Sequence, residues 1–158
     1  MNAFTLFRAA TPAVYHHRKC LCSIPPMTSA IDRFESIPGA PQAVGPYSLA
    51  VRAGGMVFLS GQVGLNPATG KLVGASIEEQ TEQVLRNLKS VLQGVGLSFA
   101  DVVKSTIFLT DLGNFQKVNA MYGAALEGYK PARSTIQVSA LPLGAIVEIE
   151  MIALDTTP

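Results

Sequence analysis

Residues 76–96 restrict the fold more than any other stretch of this 158-residue chain. Ile77, Thr81, Val84, Leu85, Leu88, Val91, Leu92 and Val95 recur at steps of three and four. That spacing lines side chains along one stripe of an α-helix. Ser76 precedes the run and Glu79 follows three positions later, so side chain and backbone cap one another reciprocally at the N-terminus. Gly94 and Gly96 are expected to stop the helix. Glu78, Glu82, Arg86 and Lys89 take the opposite side. A helix of this kind needs an apolar surface to lie on, and its neighbours read as strands.

Strands are predicted over 33–37, 47–52 and 56–60, with a Gly54-Gly55 turn between the last two that supplies the positive φ a tight hairpin needs. Asn66-Pro67-Ala68-Thr69-Gly70 is a second turn, and Ser60-Gly61-Gln62 reads as a strand end. After the helix come a strand over 102–110, a weaker helix over 114–127 and strands over 133–138 and 146–154. Phe115, Val118, Met121, Tyr122 and Ala125 form the second helix's inner side. The order βββαβαββ predicts an α+β fold, one sheet with both helices on one face.

The last strand alternates. Val147, Ile149, Met151 and Ala153 suit the helices; Ile146, Glu148, Glu150 and Ile152 fall on the other face. Arg133, Thr135 and Gln137 share one face of the preceding strand, and Phe108 goes with Lys104 and Thr106. The expectation is an uncovered face on which Arg133 meets Glu148 and Glu150 among large apolar groups. Such a face suits burial against further copies of the chain.

Charge divides the chain. All eleven acidic residues lie at Asp32 or later, whereas three of the twelve basic ones (Arg8, Arg18, Lys19) lie before it, leaving nine against eleven, a net of −2, from residue 32 onward. A domain built to bind phosphate backbones carries a basic excess instead. The acid-free start, with Arg, Lys, hydroxyl residues and Phe4, Leu6 and Phe7, has the composition of a mitochondrial presequence. The expected division is 1–31 presequence and 32–158 domain, with a matrix location and, from an internal start at Met27, a cytosolic form. The uncharged run 53–70 holds five glycines and a proline, and 134–147 is short and contains Pro142, so neither reads as a membrane span.

Both cysteines (Cys20, Cys22) and both histidines (His16, His17) lie in the presumed presequence. The mature domain then has no thiol nucleophile, disulfide or imidazole base, and no metal site or cofactor is expected. Gly64 to Lys71 has the wrong spacing for a phosphate loop, and no G-x-S-x-G is present. What remains is Arg133 with Glu148 and Glu150. A guanidinium orients a carboxylate through paired N–H groups, and a carboxylate holds a water and exchanges protons with it. On spacing alone these residues read more readily as an ion pair that sets sheet or subunit register.

Motifs over about residues 33–157 add to this. They are Ala43-Val44-Gly45-Pro46-Tyr47-Ser48; Leu59-Ser60-Gly61-Gln62-Val63; Val103-Lys104-Ser105-Thr106-Ile107-Phe108; Asn114-Phe115-Gln116-Lys117-Val118-Asn119; Pro131-Ala132-Arg133-Ser134-Thr135; and Val147-Glu148-Ile149-Glu150. In this order the chain resembles the RidA (YjgF-like) reactive-intermediate deaminases. The resemblance implies a chorismate-mutase-like fold and a homotrimer with active sites in clefts between subunits. It implies hydrolysis of 2-imino acids and their enamine tautomers (2-iminopropanoate, 2-iminobutanoate) to 2-oxo acids and ammonia. It also implies a functional link to pyridoxal-phosphate-dependent dehydratases, which release those intermediates. By the match, Arg133 grips the substrate carboxylate and Glu148 positions the attacking water. Gly61 offers a backbone amide, Thr135 (where many members have Cys) a backbone contact, and Tyr47 lines the pocket, with Ser60 and Asn119 as further substrate-binding residues. Two other readings stand beside this: an RNA-acting translation inhibitor or endoribonuclease, opposed by the net −2, and a non-catalytic module that binds small acids.

Overall fold

The computed structural model describes residues 30–157. The presequence expected over 1–31, with both cysteines, both histidines and Met27, lies outside the described residues except for its last two positions. Six strands form one sheet: β1 (Asp32–Phe34), β2 (Ala50–Ala53), β3 (Met56–Val63), β4 (Val102–Leu109), β5 (Ala132–Gln137) and β6 (Val147–Leu154), in the order β1-β2-β3-β6-β4-β5. Every neighbouring pair is antiparallel except β4 and β5, which run parallel. Their connection carries one of the two helices, α1 (Ile77–Gly94) and α2 (Phe115–Ala125), as a parallel pair requires.

The last strand lies centrally because one of its faces is wholly apolar. Val147, Ile149, Met151 and Ala153 are fully buried, as the alternation predicts. Against them packs the α1 stripe, where Val84, Leu88, Val91 and Leu92 have no exposed surface. The predicted capping box forms: Glu79 N–H donates to Ser76 Oγ and Ser76 N–H to Glu79 Oε2, both at 3.2 Å. Gly94 is the last helical residue rather than a stop, and a Cβ there would press to 3.2 Å on Ile37 Cγ1. Gly96, at φ +81°, makes the turn out of the helix.

β1 ends at Phe34 and β2 begins at Ala50, both later or shorter than predicted. The Pro38–Pro46 stretch between them, with three prolines, cannot supply a continuous ladder of donors. The whole connection, residues 35–49, packs as a loop that buries Ile37, Ala40 and Leu49 in the core.

Candidate active site

Ser60 and Gly61 lie inside β3, not at its end. Leu59 pairs with Met151 and Gln62 with Ile149, so two residues of β3 oppose the single Glu150 of β6. This is a β-bulge, which turns two successive residues of one strand toward the same region. Ser60 is held there by its Oγ, which donates to Ser48 O at 2.7 Å, and by its N–H, which donates to Leu49 O at 3.1 Å. Gly61 has no side chain because the Glu148 carboxylate occupies that space: a Cβ at 61 would lie 2.9 Å from Glu148 Cδ. Tyr47 packs over the preceding turn, accepting from Val44 N–H at 3.3 Å, and is 42% exposed.

Tyr47, Ser60, Gly61 and Glu148 line one cavity of about 390 Å³, together with Val44, Val63, Leu65, Pro142, Leu143 and Glu150. Burial raises the Glu148 carboxyl above the usual carboxylate range, and the neighbouring Glu150 charge raises it further. That favours a group which takes and returns protons nearer neutral pH.

Two buried amides of α1, missed from the sequence, brace this cavity. Asn87 Nδ2 donates to Val63 O at 3.1 Å and Leu65 O at 2.9 Å, just past the bulge. Gln80 Oε1 accepts from Ile146 N–H at 3.0 Å, two residues before Glu148. Gln80 is three positions from Ile77 and Asn87 three from Val84, which puts both on the apolar stripe. A polar residue on such a stripe was the available signal.

Arg133 is elsewhere. In the ladders Ser105 pairs with both Arg133 and Met151, while Phe108 pairs with Glu148. Ser105 and Phe108 are an odd number of residues apart, so Arg133 and Thr135 face the helices and Glu148 and Glu150 the open side. The expectation that Arg133 shares a face with the two glutamates is therefore corrected. Within the protomer no Arg133–glutamate pair forms: none of the ion pairs among the described residues involves Arg133.

The guanidinium is nonetheless fixed. Nη2 donates to Asn119 Oδ1 of α2 at 2.8 Å, and the group lies 5.1 Å from the centre of the Tyr122 ring and 5.8 Å from that of Phe115. Tyr122 is anchored in turn by a 2.7 Å hydrogen bond between its hydroxyl and that of Ser105, and burial raises its pKa. Asn119 thus holds the arginine. A second cavity, of about 370 Å³, opens here between Asn119, Tyr122, Tyr129, Lys130 and Arg133.

Thr135 follows Arg133 on the same face, and its Oγ1 is buried with no hydrogen-bond partner among the described residues. Val138 N–H donates to Leu109 O, and alternation then directs the backbone groups of Thr135 and Arg133 away from β4, toward the open sheet edge. Among the described residues no cluster of three or more His, Cys, Asp or Glu is placed to hold a metal ion.

Residues 38–155 match the family described as Endoribonuclease L-PSP. The chain belongs to this family, the RidA (YjgF-like) proteins. Reactive Intermediate Deaminase A, chloroplastic, of Arabidopsis thaliana is 54% identical over 114 residues, covering 72% of this chain and 61% of the plant protein. The 2-iminobutanoate/2-iminopropanoate deaminase of Mus musculus is 44% identical over 128 residues, covering 81% of this chain and 95% of the mouse protein. The crystal structure of RidA from an Antarctic Psychrobacter matches with a TM-score of 0.74 at 42% identity, covering 78% of this chain and 99% of that one. Two helices packed on a single mixed sheet are thus the RidA fold, as the motifs imply.

Proposed function

We propose that this RidA-family protein hydrolyses 2-imino acids and their enamine tautomers, 2-iminopropanoate and 2-iminobutanoate among them, to 2-oxo acids and ammonia. The observation that carries this reading is an arginine held by an amide oxygen and two rings, with no carboxylate among the described residues to neutralise it. Such a group binds a small acid in a defined orientation. The names of the plant and mouse relatives support the same chemistry.

The two cavities lie on opposite sides of the sheet, so one protomer does not bring Arg133 to Glu148. We propose that a second copy does, in a homotrimer whose clefts join the Arg133 half of one subunit to the Glu148 half of the next. The open sheet face supports this association, since Phe58 and Ile136 are each about 45% exposed on it.

In such a cleft Arg133 binds the carboxylate and fixes the imine carbon beside a water held by Glu148. An enamine first takes a proton at carbon to become the imine. The water adds to the protonated imine carbon while Glu148 accepts its proton, giving a tetrahedral amino alcohol. Proton return to nitrogen lets the C–N bond break, and ammonia leaves as the C=O bond forms. The Gly61 amide and the Thr135 backbone supply further polar contacts, and Tyr47 closes the pocket. The reaction consumes what pyridoxal-phosphate-dependent dehydratases release.

The experiment couples a threonine dehydratase to this protein and follows 2-oxobutanoate, with semicarbazide competing for the imine. Faster 2-oxobutanoate formation and less semicarbazone are expected; no protection from the trap overturns the reading. The family's description favours a second reading, RNA cleavage. Against it, the chain from Asp32 onward carries nine basic and eleven acidic residues, and RNA affinity that weakens steeply with salt is the result that would restore it. We also propose delivery to the mitochondrial matrix by residues 1–31. Fusing those residues to a fluorescent protein tests it, and diffuse cytosolic signal excludes it.

A further inference from the structure

The chain leaves β1 at Phe34 and returns at Leu49, whose N–H donates to Phe34 O at 2.8 Å and closes the neck of the loop between them. Pro38, Pro41 and Pro46 restrict the backbone of that loop. Between it and Arg33 of β1 opens a cavity of about 680 Å³, larger than those at Glu148 and at Arg133. This is within the range of small-molecule sites, and the proposed hydrolysis makes no use of it.

Arg33 and Glu35 both line this cavity. Two positions apart in extended chain, they are separated by about 7 Å along the backbone. They form no ion pair with each other or with any other of the described residues. Ser36 and Gln42 beside them add uncharged hydrogen-bonding groups. A simple anion entering here is drawn to Arg33 and repelled by Glu35, and a simple cation meets the reverse. A small ligand that carries both charges satisfies the two residues at once.

The cavity also shares its wall with the Glu148 site. Tyr47 lines both. Ser48 lines the first, and its carbonyl accepts at 2.7 Å from the hydroxyl of Ser60, which lines the second. A ligand packed under the loop would stiffen both connections, and so lower the ordering cost that the next ligand meets.

We infer that this cavity is an effector site for a free α-amino acid, its carboxylate on Arg33 and its ammonium on Glu35, and that occupancy raises deaminase activity by ordering the loop that carries Tyr47 and Ser48. The binding stands without the deaminase reading; the activation rests on it.

Titration calorimetry on the full chain carrying Arg133→Ala reads the binding, because that substitution removes the other arginine proposed to take an acid. L-Valine is the probe, and 3-methylbutanoate (no ammonium) and 2-methylpropylamine (no carboxylate) are its half-charged analogues. L-Valine is expected to bind, and each analogue to bind weaker by roughly tenfold or more. Adding Arg33→Ala or Glu35→Gln to the same background should abolish the L-valine heat. No L-valine heat, equal affinity for either analogue, or binding that survives both substitutions overturns the site. For the activation, D-amino-acid oxidase supplies 2-iminopropanoate to protein with Arg133 intact, at D-alanine concentrations well below the Kd that calorimetry gives for L-valine. Saturating L-valine should then raise kcat/KM by on the order of fivefold. Glu35→Gln should erase the rise and leave the rate without L-valine unchanged. Binding with no rise overturns the activation. Protein that protects no imine from semicarbazide overturns the deaminase reading, while the calorimetry still decides the site.

Discussion

Arg133 and Glu148 stand on opposite faces of one sheet, the first beside Ser105 under α2 and the second opposite Phe108 on the open side. The arginine is clamped by Asn119 and two aromatic rings, and the glutamate rests in the gap left by Gly61. Within one chain the two groups therefore do not meet at a common cavity.

Replacing Arg133 should remove substrate binding without unfolding the domain, since its side chain carries no ion pair among the described residues. Charge-assisted hydrogen bonds contribute about 1.5–3 kcal/mol each, so Arg133→Ala is expected to lower kcat/KM by on the order of 10²-fold or more. Arg133→Lys keeps the charge but loses the planar fork, and should recover only part of the loss. Semicarbazide-trap kinetics beside circular dichroism check both.

Mixing two inactive variants tests whether the halves come from different copies. Arg133→Ala supplies an intact Glu148 half and Glu148→Gln an intact Arg133 half. Co-refolded in equal amounts, they should regain roughly a quarter of wild-type activity, the share of random subunit seams with both intact residues. No regain in mixed assemblies of native mass would place the site within one chain.

Glu148→Gln probes the raised carboxyl. A folded-state pKa above the ordinary glutamate value of about 4.3 means that the folded protein binds this proton more tightly than the unfolded one. The associated destabilisation is absent below that value, grows as pH rises toward the raised value, and is complete above it. The glutamine variant, neutral throughout, should therefore gain stability relative to wild type across that window, while its deaminase rate falls by on the order of 10²–10⁴-fold. Urea unfolding at several pH values, paired with kinetics, reads out both; equal stabilities at every pH would contradict the raised carboxyl.

Gly61→Ala places a methyl where the Glu148 carboxylate lies. Overpacking of this kind costs about 1–3 kcal/mol. Because the group that must yield is the carboxylate proposed to react, activity should fall further than stability does. A variant with wild-type kinetics would show that Glu148 works from another position.

Asn87→Ala leaves the Leu65 carbonyl without the amide that satisfies it, while the Val63 carbonyl keeps its 2.7 Å bond from Leu65 N–H. A stranded buried acceptor costs about 1–3 kcal/mol. Urea denaturation should show that loss. Surviving folded protein should show impaired turnover, because β3 beyond the bulge is no longer braced against α1.

The sequence made the helices and the central strand readable for a physical reason. The α1 stripe and the alternation of β6 are both long, regular and tied to full burial, so periodicity marks them clearly. The motifs also named candidate side chains, but not their partition between two cavities. Alternation says which residues of one strand share a face, and says nothing about the phase of that strand against its neighbours. On β5 the usual cue is inverted: Arg133 and Thr135 turn toward the helices, while Ile136 turns outward at 46% exposure. An edge strand only partly covered by α2 admits such an inversion, because its inner face is not sealed by apolar packing. The bulge at Ser60–Gly61 was hidden similarly, since one extra residue in a ladder appears only once the partner strand is in place.

The clamp on Arg133 bears on how the protein handles its ligands. A free arginine side chain carries about 2 kcal/mol of rotamer entropy that must be lost when it is immobilised by an anion. Here Asn119, Phe115 and Tyr122 have already immobilised it during folding. A small acid bound there as proposed would meet a stiff receptor, so even a fleeting metabolite with few atoms to contribute would be recognised without waiting for the protein to rearrange.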